Sequence, residues 1–316
     1  EIKPQPKGKL VLNRWAINDT ALRLNDLPAS QVQENTALNL KANFVTNPEA
    51  FSLNTEYEKN YLTDYDPEEG GDRVLILPAQ IDGNPINQIP PVFKGLGLEK
   101  VDLPPEVITN LDREAFVDNN LQEIEIPGSV KHIGGFTNNE LEKVTINPGS
   151  GEREIRYDTF MNNNLTEINI PENITFIGSN AFTGNNLEGK IKIPGTIKEM
   201  WGFLNSGIEP STEVIIKEGV EEIRYSTFKG NNLNQLFELP DSLAIIGEKA
   251  FANTNLTGSL EIPDNITKIG SKAFADNNLE GTLVIHENIN YVGADAFNGS
   301  NLERIEIEPR TGETKL

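Results

Sequence analysis

From about residue 70 onward the apolar positions of the chain recur in one arrangement. It begins with two aliphatic residues flanking a single outward position, as in Leu75/Leu77, Val101/Leu103, Ile124/Ile126, Val144/Ile146, Ile168/Ile170, Ile191/Ile193, Val214/Ile216, Phe237/Leu239, Leu260/Ile262, Leu283/Ile285 and Ile305/Ile307. Alternation over so short a run predicts a strand with one buried face. The residue that follows is usually Pro (Pro78, Pro104, Pro127, Pro171, Pro194, Pro240, Pro263), which has no N–H with which to continue a ladder. That slot recurs at intervals of 20 to 26 residues, most often 23. A period of this size, sustained to residue 308, predicts stacked coils rather than one globule.

The rest of each coil is equally patterned. Two apolar anchors stand three apart (Ile174/Ile177, Leu243/Ile246, Ile266/Ile269), then a turn glycine such as Gly178, Gly247 or Gly270. Phenylalanine follows at 93, 116, 136, 160, 182, 203, 228, 251, 274 and 297, each with Leu or Ile five residues on. The position before that aliphatic is Asn120, Asn164, Asn186, Asn232, Asn255, Asn278 or Asn301, or Gly97 or Gly207. Asn and Gly tolerate positive φ, so a short helical turn closed by a left-handed residue is expected there. A second asparagine often precedes it (Asn119, Asn139, Asn163, Asn185, Asn231, Asn277), and a buried ladder of these amides would satisfy turn backbone groups.

The pattern I-x-I-P-x-x-I-x-x-I-G-x-x-A-F-x-x-N-x-L resembles the BspA-like, or Treponema-type, leucine-rich repeat of bacterial surface proteins. Many relatives carry Cys where this chain has the first Asn. The resemblance implies an α/β-type leucine-rich repeat solenoid: a right-handed superhelix of about eleven coils, with short parallel strands on one face and short helical turns on the other. At about 4.8 Å per rung, eleven strands would span roughly 48 Å. The resemblance also implies an extracellular protein, secreted or held at a bacterial cell surface. It says little of a ligand, because the family shares a scaffold rather than a site.

Two segments are expected. Residues 57–316 form the solenoid, and residues 1–56, which do not follow the repeat, form a linker and N-terminal cap over its first coil. Within the latter, Leu10–Trp15 reads as a strand and Asp26–Leu40 as the site of a short helix with Pro28 near its first turn. The absence of a convincing cap after Arg310 suggests a longer surface protein, of which this would be a monomeric part.

Composition narrows the function. The formal charge is −21, which argues against nucleic acid and against anionic lipid, since both demand a basic footprint. No apolar run approaches membrane-spanning length, so membrane insertion is not expected. Cysteine is absent, which removes disulfides and thiolate metal sites. The two histidines, His132 and His286, lie some seven coils apart, and no nucleophile or phosphate motif is present, so catalysis is not expected. His286 fills a slot held by Pro elsewhere and reads as a surface residue.

Three candidate sites remain. Ile155-Arg156-Tyr157-Asp158-Thr159-Phe160 returns 68 residues later as Ile223-Arg224-Tyr225-Ser226-Thr227-Phe228. Duplication alone explains the match, yet Arg156, Tyr157, Trp201, Arg224 and Tyr225, on the face opposite the strands, are side chains that anchor interfaces. The outward strand positions form a second candidate surface, with Glu125, Asn169, Lys192, Ile215 and Glu238 among them. Asp64, Asp66, Glu68 and Asp72 are spaced like the start of a calcium loop, but Leu75 stands where a bidentate Glu would close it, so an acidic solvated turn is the plainer reading. No cofactor is expected beyond that marginal calcium. The expected function is non-catalytic binding of an extracellular protein or glycan. A structural spacer rod is the alternative, and a calcium-responsive module the third.

Overall fold

The computed structural model describes residues 73–81, 83–233 and 238–309, together with the backbone of strands lying between residues 10 and 65. It is a parallel-strand β-solenoid of about ten turns with a leucine-rich repeat fold. Phenylalanine rings fill its axis. From Phe93 to Phe297 all ten stack in one column, with neighbouring centroids 5.0–5.7 Å apart and planes within 21° of parallel. Around them the aliphatic pairs and anchors make one continuous core, into which Ile124, Ile126, Ile174, Ile177, Ile266 and Ile269 are buried.

The continuous ladder is formed by the second clause of the repeat, not the first. Gln88–Ile89, Asn110–Leu111, His132–Ile133, Arg153–Ile155, Ile174–Ile177, Glu199–Met200, Glu222–Ile223, Ile245–Ile246, Lys268–Ile269 and Tyr291–Val292 are consecutive parallel neighbours in one sheet. At its N-terminal end Tyr61–Tyr65 pairs parallel with Gln88–Ile89 and antiparallel with Phe51–Asn54. At five rungs the residue after the anchor is glycine (Gly134, Gly178, Gly247, Gly270, Gly293), and there the backbones approach closely: a Cβ on Gly178 would lie 2.4 Å from the Tyr157 amide nitrogen of the coil before.

The expected I-x-I strands pair only in sections: Val74–Ile76 with Lys100–Asp102, Glu123–Ile126 with Lys143–Ile146, Lys190–Ile193 with Glu213–Ile216, and Asn278–Ile285 with Asn301–Ile307. Proline accounts for most of the breaks. Where the slot after the strand holds Asn147, Lys217 or Glu308, its N–H donates to Ile126, Ile193 or Ile285 of the preceding coil. Proline in that slot has no proton to give. Ile168 and Ile170, followed by Pro171, are buried but lie outside any strand.

The α/β description is corrected in a second respect. Among the described residues the only helical element is a single 3-10 turn at Pro91–Phe93. The segment around each Phe is instead a tight turn, and its left-handed residue lies two after the ring rather than four. Gly95, Asp118, Asn138, Asn162, Gly184, Asn205, Gly230, Asn253, Asp276 and Gly299 all have positive φ, whereas of the expected positions only Gly97, Gly207 and Asn255 do. Six coils add another left-handed residue two before the ring, for example Asp158, Asn180 and Lys249. A helix needs a run of right-handed residues to close its first hydrogen bonds, and these interruptions deny it one.

In the N-terminal segment Leu10–Ile17 is a strand, paired antiparallel with Thr20–Leu22 and Leu40–Thr46. The helix expected at 26–40 falls almost wholly outside the described residues.

Candidate functional site

The residue before each second anchor points away from the core, so the continuous sheet carries a row with one outward residue per rung. In the middle of this row stands Phe176, between Tyr157 one coil before and Trp201 one coil after. Its ring centroid is 5.7 Å from that of Tyr157 and 5.6 Å from that of Trp201, edge-on to both. The Arg224 guanidinium lies over Trp201 at 5.3 Å, and that of Arg113 over Tyr157 at 5.6 Å. Each is also held by carboxylate: Arg224 by Glu199 at 2.7 Å and Glu222 at 3.0 Å, Arg113 by Asp158 at 2.7 Å. Lys249 over Tyr225 and Lys268 over Tyr291 repeat the motif further along.

Tyr157 and Tyr225 remain 44% and 56% exposed, so their rings are pinned yet open to solvent. Beside Tyr157 lies a hollow of about 430 Å³ lined by Arg113, Glu114, Thr137, Asp158, Met161 and Asn180. Asp158 accepts from Arg113 and, at 3.0 Å, from the Asn180 amide, so its carboxylate is fixed at the rim. Glu222 is less exposed than its neighbours, and desolvation raises its carboxyl pKa, partly opposed by the Arg224 charge.

Of the expected residues, Tyr157, Trp201 and Arg224 are thus joined in one strip through Phe176. Tyr225 and half-buried Arg156 flank it on the same face. The strip runs along the continuous sheet, with Phe176 in a strand and Tyr157, Trp201 and Arg224 just after the ends of theirs, rather than on helical turns. Phe176, Arg113, Lys249, Lys268 and Tyr291 were missed. Phe176 and Tyr291 share the slot before the anchor, held elsewhere by Asn110, His132 or Glu154, and an aromatic in that slot was the available signal.

The other row is less coherent. Glu125, Asn169, Lys192 and Glu238 are exposed and Ile215 is half-buried, as outward positions should be. Lys192 and Ile215 are register partners. Glu125 accepts from Asn147 at 2.7 Å and lines a shallow hollow of about 390 Å³ with Lys100, Asp102, Lys143 and Thr145. Asn169 and Glu238 lie outside the strands, so the row is not one sheet surface.

Asp64 falls in the strand Tyr61–Tyr65, whose side chains are outside the described residues, as are Asp66, Glu68 and Asp72 altogether. Among the described residues no group of three or more His, Asp or Glu is placed to hold a metal ion. His132 contacts Glu154 at 3.1 Å. His286, expected at the surface, is 7% exposed, with Nε2 2.9 Å from the Pro263 carbonyl; without proline in that slot, the imidazole itself supplies the donor.

A fully buried arginine was not anticipated. Arg153 donates to the carbonyls of Pro127 (3.1 Å), Val130 (2.7 Å) and Asn147 (2.6 Å), and burial lowers its pKa. Its side chain lies beneath the irregular turn that follows Ile146, and caps carbonyls there rather than presenting charge to a ligand.

The BspA type leucine-rich repeat region, in six copies, matches residues 90–203 and 202–314. No curated protein matches the chain. Among solved structures, a leucine-rich repeat protein from Bacteroides ovatus aligns over 82% of this chain and 75% of its own, at 18% identity and a TM-score of 0.43. A leucine rich cell surface protein from Faecalibacterium prausnitzii aligns over 84% of this chain and 96% of its own, at 18% identity and a TM-score of 0.38. With the family profile spanning well over half its length, the chain belongs to the BspA-type leucine-rich repeat family.

Proposed function

We propose that the chain is a non-catalytic, surface-exposed binding protein that meets an extracellular macromolecule along the outer face of its continuous sheet. The family is typically found at bacterial surfaces and is generally non-catalytic, which supports both parts of the reading. No helix among the described residues is long and apolar enough to cross a membrane. The observation that carries the proposal is the unbroken run Tyr157–Phe176–Trp201–Arg224. Large rings with restricted torsions, held by neighbouring guanidinium groups, lose little conformational freedom when a partner settles on them.

The test is binding of the purified chain to immobilised extracellular proteins and glycans, repeated with Tyr157→Ala and Tyr225→Ala. Any ligand captured by the wild type should be held at least about tenfold more weakly by the variants. A ligand held equally by all three would place binding elsewhere.

A spacer role is the second reading. The ten-ring column gives the rod an uninterrupted core, as holding other domains at a distance requires. A chain that captures no ligand would favour it.

A further inference from the structure

We infer that the Tyr157–Trp201 strip and the hollow beside it seat an uncharged, linear, β-linked polysaccharide running along the solenoid axis. This deepens the binding reading above and rests on it.

Spacing comes first. The rings advance one rung per coil, 5.7 Å from Tyr157 to Phe176 and 5.6 Å from Phe176 to Trp201. An extended β-1,4-linked pyranose chain advances by about 5 Å per sugar, close to the ~4.8 Å rung of the solenoid. Successive sugars therefore meet successive coils without either partner bending.

Chemistry comes second. The axial C–H faces of a β-linked pyranose are apolar and weakly positive, and they complement the negative face of an aromatic ring. Its equatorial hydroxyls need donors and acceptors at the rim of that contact. Beside Tyr157 the hollow supplies both, with Arg113, Asp158 and Asn180 already fixed by mutual hydrogen bonds. Its volume, about 430 Å³, is that of a small-ligand site with a few convergent polar groups.

Charge comes third. The chain carries −21 overall, yet in the strip Arg113 is offset by Asp158, and Arg224 by Glu199 and Glu222. An anionic polymer would be repelled by the body of the protein. A cationic one would find more carboxylate elsewhere on the surface. With two guanidinium groups set against three carboxylates, the strip is close to neutral beside the acidic body and complements a neutral ligand.

Affinity electrophoresis in native gels tests this, with hydroxyethyl cellulose as the β-1,4-glucan, laminarin as a β-1,3 chain and soluble starch as the α-linked control. The wild type should be retarded by the β-1,4 polymer and not by starch. The apparent dissociation constant should rise about tenfold or more in Tyr157→Ala and Trp201→Ala, while Tyr157→Phe, which keeps the ring, and Lys192→Ala, on the other face, should run as the wild type does. Far-UV circular dichroism and thermal melting of each variant would separate lost contact from lost fold. Unretarded migration in every polysaccharide would overturn the inference. Were Tyr157→Ala then still to lose capture of an extracellular protein, the strip would be a protein-binding surface and only the glycan assignment would fall. Were both readouts indifferent to the variants, the binding reading would fall with it.

Discussion

The Asn163 side chain reaches back one full coil to the carbonyl of Phe136, 2.9 Å away and 27 residues upstream. The same amide nitrogen also donates to Phe160 in its own turn, at 3.1 Å, while its oxygen accepts from the Leu141 amide at 3.0 Å. Asn119, Asn139, Asn185, Asn231 and Asn277 repeat this arrangement, each bridging the turn carbonyls of adjacent coils. At Ser206 and Thr254, which hold the same position, the hydroxyl reaches the Phe carbonyl of its own turn and the side-chain oxygen of the next asparagine, Asn231 or Asn277, whose amide nitrogen spans the gap.

Asn163→Ala should therefore cost about 1–3 kcal/mol, because it strips the buried Leu141 amide of its acceptor and leaves the Phe136 and Phe160 carbonyls with only Asn139 and Asn185 as side-chain donors. Asn163→Ser should cost less, since serine stands in this position at Ser206 and keeps the local bond. Urea unfolding of the two variants checks the order. Equal losses would show that the local bond kept by serine carries no weight, and a loss near zero in both would show the same of the bridge to Phe136.

Phe182→Ala removes a fully buried ring whose neighbours Phe160 and Phe203 lie at 5.7 and 5.0 Å. A loss of about 3–5 kcal/mol is expected. In a solenoid each coil touches only its neighbours, so protection of backbone amides from hydrogen exchange should fall around coils 160–203 first. Uniform loss of protection along the whole chain would contradict that nearest-neighbour picture.

Arg153→Ala should destabilise by about 2–4 kcal/mol by stranding the carbonyls of Val130 and Asn147 and leaving that of Pro127 with the Val130 amide alone. Arg153→Lys should recover little. One ammonium on a flexible stem cannot span three acceptors that the planar guanidinium reaches together. The shift in urea midpoint is the measurement, and a wild-type-like Lys variant would refute the fork geometry.

Glu222 gives a pH prediction. Its raised pKa means that the folded state holds this proton more tightly than the unfolded chain does. Stability from this group is thus present at pH below the ordinary carboxylate range and is lost as pH rises through the elevated folded value. Glu222→Gln should remove that part of the decline. Thermal melting of both proteins across the acidic range would show it, and parallel curves would exclude it.

Gly178→Ala should be strongly destabilising although the residue has an ordinary backbone conformation. The added Cβ would lie 2.4 Å from the Tyr157 amide nitrogen, which is backbone and cannot swing aside. Alanine at Gly281, where nothing lies within 4 Å, would meet no such clash and would cost only the strain of its positive φ of 72°. Similar melting temperatures for the two would refute close packing at Gly178.

The sequence by itself determined the period, the buried face of each coil and the phenylalanine column, because inward positions recur whatever path the chain takes between them. Proline in the slots at 171, 194, 240 and 263 also foretold where the I-x-I ladder would lack a donor, and Asn147, Lys217 and Glu308 mark coils that keep one. The asparagine bridges were legible for the same reason: a polar residue recurring in register with buried neighbours must find backbone partners.

Only the tertiary structure decided which clause forms the continuous sheet, and which distant side chains meet on it. The anchor strands stack without a break, and glycine at five of these rungs lets adjacent backbones touch, a contact between coils that no single coil displays. Positive φ two residues after each ring, rather than four, likewise depends on how the turn docks against its neighbours. Tyr157, Phe176 and Trp201 stand on three successive coils at different positions of the repeat, before the anchor at Phe176 and after it at Tyr157 and Trp201, and parallel stacking brings these offset side chains into edge-on contact. Arg113 reaches Tyr157 across two coils, and Arg153 fits beneath an irregular turn. Both positions depend on the actual spacing of rungs, which composition and period leave open.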